Sequence, residues 1–195
     1  MARKEIRVAS ERWAKTKTPV PVKRVSTKSA ASEVKGPEKI QLKNLRMPFD
    51  ILDFKKAYRS SSADRFLIIK TGVAARKVYD LATKLNVSQD LIIKRLGLSK
   101  STISRKVQAD QTLTADQSER VLGMSKLVGL VETIVEESGD LERSKDFDAA
   151  AWLENWLSQP NPALGGELPT MYLDTREGQE ILSSLIAQMQ SGAYA

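Results

Sequence analysis

Leu91-Ile92-Ile93-Lys94-Arg95-Leu96-Gly97-Leu98-Ser99-Lys100-Ser101-Thr102-Ile103-Ser104-Arg105-Lys106-Val107 reads as two short helices around a tight turn. Gly97 stands where the first helix must stop with a positive φ, a conformation glycine reaches without steric cost. Leu98 can tuck between the helices, and Ser99 can cap the second. In that second helix Ile103 and Val107 are four apart and face inward. Lys100, Ser101, Thr102, Ser104 and Arg105 are left outward or toward the helix start. This is the helix-turn-helix pattern, with a small, polar, basic second helix. A helical hairpin in an inert bundle also has glycine at its turn and a basic outer face. What favours DNA recognition is the density of hydroxyls and cations, with no acidic residue from Leu91 through Ala109; a merely solvated helix usually mixes signs.

Upstream, apolar residues return at Met47 with Phe49, Ile51, Leu52 and Phe54 and resume at Phe66-Leu67-Ile68-Ile69, with Ser60-Ser61-Ser62 as a break. The spacing Ala75, Val78, Ala82, Leu85 predicts a helix from about Gly72 to Leu85, and Ser88 is a candidate N-cap for the next one. Residues 1–46 read as a disordered or extended basic arm. They carry 13 Lys/Arg against 4 Asp/Glu, two prolines in the Pro19–Pro21 stretch, and Trp13 as their one aromatic. Without periodicity they bury too little apolar surface to offset ordering entropy. Such arms either follow the DNA backbone or serve as solubilising tails.

Downstream, Thr114-Ala115-Asp116-Gln117 matches a capping box and opens a helix predicted to reach about Glu137. Its wide apolar face (Val121, Leu122, Met124, Leu127, Val128, Val131, Ile134, Val135) calls for more than one neighbour, in the same chain or across a dimer. Gly139 is expected to end it. Ser144-Lys145-Asp146 then precedes a helix from about Phe147 to Leu157. Trp156 to Pro169, with three prolines and Gly165-Gly166, is expected to hold a rigid, irregular shape without secondary structure. Asp174-Thr175-Arg176-Glu177 opens a last helix with Ile181, Leu182, Leu185, Ile186 and Met189 on one side, ended by Gly192.

The charge is partitioned along these segments. Residues 47–112 carry +7 and residues 113–195 carry −9 within a 195-residue chain of net charge +7. Two surfaces with different partners are implied, the basic one for a polyanion. Cysteine and histidine are both absent, which excludes disulfides, thiolate or imidazole metal sites, and catalysis by cysteine or imidazole. Asp174 and Glu177 read as capping residues, and Gly165-Gly166 lacks the strand, lysine and hydroxyl of a phosphate loop. No catalytic residue, metal or cofactor is expected. No run of about 18 uncharged apolar residues suggests a membrane span, and Met1-Ala-Arg-Lys-Glu has no apolar leader, so a cytoplasmic protein is expected.

The sequence resembles the Xre/MbcA/ParS antitoxins, which neutralise toxins of the RES class. The likeness rests on Leu113-Thr-Ala-Asp-Gln-Ser118-Glu-Arg120, then Trp156-Leu157 with Pro160-Asn161-Pro162-Ala163-Leu164-Gly165-Gly166 and Pro169. Leu173-Asp174-Thr175 with Gly178 and the ending Ser191-Gly192-Ala193-Tyr194-Ala195 continue it, so that it covers about Ile69 to Ala195. Gln117 stands where the family more often has an acid, a second tryptophan (Trp152) precedes Trp156, and the arm is longer than in the family.

The resemblance implies an all-α protein: a helix-turn-helix DNA-binding bundle followed by a small helical toxin-binding domain. It implies a toxin similar in fold to ADP-ribosyltransferases that consumes or transfers from NAD, an antitoxin helix and tail covering the toxin's cleft, and a complex that represses its own operon. The expected division is an arm over 1–46, the Xre-like domain over 47–112 and the toxin-binding domain over 113–195. Lys100, Arg105 and Lys106 are the candidate phosphate contacts, and Ser101, Thr102 and Ser104 the candidate base contacts. Trp156, Pro160, Leu164, Gly165, Gly166, Leu185, Met189, Gly192 and Tyr194 are the candidate toxin-binding residues. Expected partners are a RES-domain toxin, operator DNA and a second copy of the chain. A dimeric repressor without a toxin partner is the alternative.

Overall fold

The computed structural model describes residues 47–138 and 147–190. The arm over 1–46, Gly139, Ser144-Lys145-Asp146 and the ending 191–195 lie outside the described residues. Those described form eight α-helices and no strand, as the all-α reading anticipates: α1 Phe54–Arg59, α2 Ser62–Thr71, α3 Lys77–Lys84, α4 Gln89–Arg95, α5 Lys100–Gln108, α6 Ala115–Glu137, α7 Ala149–Leu157 and α8 Arg176–Gln190.

Side-chain oxygens begin most of these helices, each satisfying one otherwise unpaired N–H of a first turn. Asp53 accepts from Lys56 N, Ser61 from Asp64 N, Ser88 from Leu91 N and Asp148 from Ala151 N. At α6 the capping box is complete: Gln117 N donates to Thr114 Oγ1 at 3.3 Å, and Thr114 N donates to Gln117 Oε1 at 3.1 Å. Thr175, not its neighbour Asp174, caps α8 by accepting from Gly178 N.

α6 is the central helix. Val121, Leu122, Met124, Ser125 and the whole run Leu127–Val131 are buried, so the middle of the helix is largely enclosed, and it packs against α1, α2, α7 and α8. The wide apolar face is therefore used within the chain. Gly129 lets α1 lie close: a Cβ there would stand 1.9 Å from Phe54 O. The core is continuous from Phe49 and Ile51 through Ile92, Leu96 and Ile103 to Leu153, Leu157, Leu182 and Ile186, each large side chain contributing about 1.5–3 kcal/mol by leaving water.

Three local expectations are corrected. The helix predicted from about Gly72 begins at Lys77. Gly72, at φ +86°, instead ends α2, where a Cβ would come within 2.8 Å of Leu113 O. The next residues are held extended, because Leu113 N donates to Val73 O, Ala75 N to Gln111 O, and Val73 N to the fully buried Ser118 Oγ. These long-range bonds override the helical spacing. The segment after α7 contains two short 3₁₀ turns, Pro162–Leu164 and Pro169–Tyr172. Ile181, expected on the inner side of α8, is 46% exposed, whereas Leu182 and Ile186 are buried.

Candidate functional site

The first surface is built on α4, its turn and α5. Gly97 has φ +58°, Leu98 is buried beneath the turn, and Ile103 is fully buried and anchors α5. With Ile103 inside, the exposed residues of α5 follow from helical geometry. Lys100, Ser101 and Arg105 are exposed; Thr102, Ser104 and Lys106 are half-buried. Two of the three cations have partners. Lys100 Nζ lies 2.7 Å from Asp90 Oδ2, a solvent-exposed pair that holds the lysine weakly. Lys106 Nζ donates to Thr112 O at 2.7 Å, leaving two of its three hydrogens for another acceptor. No acidic residue of α5 itself sits in its first turn, so that end of the helix presents the Lys100 cation with the hydroxyls of Ser101 and Thr102.

The second surface lies on α7, the loop after it and α8. Trp152 and Trp156 stack with ring centroids 6.3 Å apart and planes 7° apart, and both are half-buried against the core. The loop is closed by its own backbone: Gly166 N donates to Asn161 O, Asn161 N to Glu167 O, and Asn161 Oδ1 accepts from Ala163 N. Gly165 and Gly166 both have positive φ, and a Cβ at either would meet nothing within 4 Å. Pro160, Gly165 and Gly166 are exposed and Leu164 is half-buried. Leu185 is buried within the chain, and Met189 is exposed. Gly192 and Tyr194 lie outside the described residues. Leu168, Met171 and Ile181 add exposed apolar area, Met171 at 65%; none of the three was singled out from sequence as a contact residue.

Polar contacts between the two surfaces were also not anticipated. Arg95 of α4 pairs with Glu154 of α7 and donates to Ser158 Oγ. Arg120 of α6 donates to Leu96 O at 2.8 Å and Gly97 O at 2.9 Å, and pairs with Asp116. Gln179 of α8, 6% exposed, donates to Arg120 O at 3.0 Å and Leu173 O at 2.7 Å. The available signal was a glutamine on the buried stripe of α8 with Leu182 and Ile186, spaced three and seven residues on.

Among the described residues no group of three or more carboxylates is placed to hold a metal ion, and no helix is long and apolar enough to cross a membrane.

Comparison with known proteins matches both surfaces in chain order. The antitoxin Xre-like helix-turn-helix domain model covers residues 64–125, and the antitoxin Xre/MbcA/ParS C-terminal toxin-binding domain model covers residues 147–192. The chain is 46% identical over 142 residues to a Prs ADP-ribosylating antitoxin of Sphingobium sp. (strain YBL2), covering 73% of this chain and 87% of that one. It is 25% identical over 91 residues to the antitoxin Xre of Pseudomonas putida, covering 47% of this chain and 50% of that one. With both domains matched in order and a relative of this identity aligned over most of both chains, the protein belongs to the Xre/MbcA/ParS antitoxin family.

Proposed function

We propose that this antitoxin occludes the active site of a RES-type toxin, an ADP-ribosyltransferase-like protein that uses NAD, and represses its own operon through α4 and α5. The observation that carries the reading is the pairing of two unlike surfaces in one chain. The acid-free face of α5 suits a polyanion, and the exposed apolar side chains around α8 suit a protein partner. The name of the Sphingobium relative favours ADP-ribose transfer as the partner's chemistry.

In this reading residues 47–112 carry the operator contacts and residues 113–195 seat the toxin, with the basic arm of 1–46 adding phosphate contacts. The protein acts in the cytoplasm as a dimer on two half-sites. Arg105, Lys100 and Lys106 neutralise phosphates, while Ser101, Thr102 and Ser104 meet base edges. On the toxin side the rigid Pro160–Gly166 loop, Trp156, Leu164 and Met189 form the anchor, with Gly192 and Tyr194 entering the cleft. Leu185 supports that surface from inside. Occlusion requires no chemistry from the antitoxin, so a chain without imidazole or thiol suffices.

The test is to express the reading frame beside this gene alone and together with it, following growth and cellular NAD. Growth arrest relieved by this chain supports the antitoxin role, and NAD loss separates degradation from modification of a protein target. No toxicity under confirmed expression overturns the reading in favour of a repressor that works without a toxin. Deleting residues 192–195 is expected to weaken neutralisation and leave DNA binding intact; full protection by the truncated chain overturns the tail's role.

A further inference from the structure

We infer that Arg120 and Gln179 are positioning residues for operator recognition, so that the pose of α5 is set from the C-terminal half of the chain. The inference rests on the operator-binding reading above and extends it to residues that touch no DNA.

The last carbonyls of a helix have no partner within it. At the end of α4 those of Leu96 and Gly97 are both taken by one nitrogen of Arg120. Guanidinium is planar and its donors are fixed relative to one another, so two simultaneous bonds define where the turn sits on α6. Asp116 holds the other terminal nitrogen. Arg120 is in turn registered against α8, because Gln179 Nε2 uses its two hydrogens on Arg120 O and Leu173 O. The far side of that amide is confined as well: a Cβ at Gly123 would come within 1.5 Å of Gln179 Oε1. The start of α8 also meets the turn directly, since a Cβ at Gly97 would lie 2.9 Å from Asp174 Cβ and 2.9 Å from Arg120 Nη1. Turn, α6 and α8 thus form one continuous brace behind the recognition helix.

Base-edge contacts require side chains placed to within about 0.5 Å, whereas phosphate attraction tolerates misplacement. Loosening the brace therefore acts on sequence discrimination and spares non-specific binding. A residue that merely supports the fold acts on both together.

The experiment compares full-length wild type with Gln179→Ala, Gly123→Ala and the double variant. Each is titrated with duplex DNA from its own promoter and with a scrambled duplex of equal length at the same salt. Thermal unfolding confirms that each variant is folded at the assay temperature. Gln179→Ala and Gly123→Ala are each expected to lose about tenfold or more in promoter affinity, the size of one good base contact, with scrambled-duplex binding unchanged. The double variant is expected to match Gln179→Ala alone, because removing the amide makes room for the new methyl. Arg120→Lys keeps the charge but not the fork; it is expected to lose the same discrimination and carries the test if Gln179→Ala does not fold. Folded variants with undiminished discrimination, or parallel losses on both duplexes, overturn the inference. Wild type that does not distinguish the two duplexes overturns the operator reading itself, and the positioning role with it.

Discussion

Arg95 at the end of α4 and Glu154 in α7 form an ion pair whose side chains are only 11% and 14% exposed, and Arg95 also reaches Ser158 Oγ at 3.2 Å. The pair joins the helix-turn-helix to the helix that carries both stacked tryptophans. Removing one partner of such a pair leaves a charge buried without compensation, which outweighs the modest net value of the intact pair. Glu154→Ala is expected to cost about 3 kcal/mol in a urea unfolding measurement. The double replacement Arg95→Met with Glu154→Leu is expected to recover most of that loss.

Gly129 allows α1 to sit against α6. With Phe54 O 1.9 Å and Tyr58 Cβ 3.0 Å from where a Cβ would be, the first contact is backbone and cannot rotate away. Gly129→Ala is expected to destabilise by about 1–3 kcal/mol, the usual range for overpacking. A denaturant midpoint equal to that of wild type would show that α1 shifts freely on α6.

Burial pushes the Glu132 carboxyl above its ordinary range, against an opposing effect of Lys55. A carboxyl whose pKa is raised by folding adds stability while it is protonated, and that contribution is lost as pH rises through its folded pKa. Glu132→Gln is expected to be more stable than wild type at pH 7 and to converge with it below the ordinary glutamate range. Urea midpoints at the two ends of that range check the sign.

Arg105 is exposed in the last turn of α5. Arg105→Ala is expected to weaken promoter binding by about 1–3 kcal/mol in a mobility-shift titration. If about 6 phosphates are neutralised per complex, log K falls with log salt at a slope near −5, and the variant's slope is shallower by about one. Unchanged affinity would remove α5 from the groove.

The turns and caps were the most legible parts of the sequence. Ser88, Gly97 and Thr114 act through neighbours within a few residues, so their spacing suffices to locate helix ends. The start of α3 was misread because Val73 and Ala75 bond to Gln111, Leu113 and Ser118, partners some forty residues away that local periodicity does not register. Ile181 was misread for a related reason. The stripe Leu182, Leu185, Ile186 continues upstream to Gln179, and a polar residue on a buried face breaks an apolar pattern even where its amide is fully used. The orientation of α5 was legible because the helix is short and the buried Ile103 fixes it. The exposed Met171 and Leu168 were not, since the 3₁₀ turn that presents them has no period to read.

The parallel stack of Trp152 on Trp156 has an optical consequence. Two indoles stacked this close, with parallel planes, are near enough to couple their electronic transitions, so a near-ultraviolet circular-dichroism signal sensitive to the angle between the rings is expected from α7. The signal depends on ring geometry and not on helix content. It disappears when α7 unwinds and changes sign or size when a partner turns one ring. If the proposed toxin seats here, its binding is expected to be readable without a label.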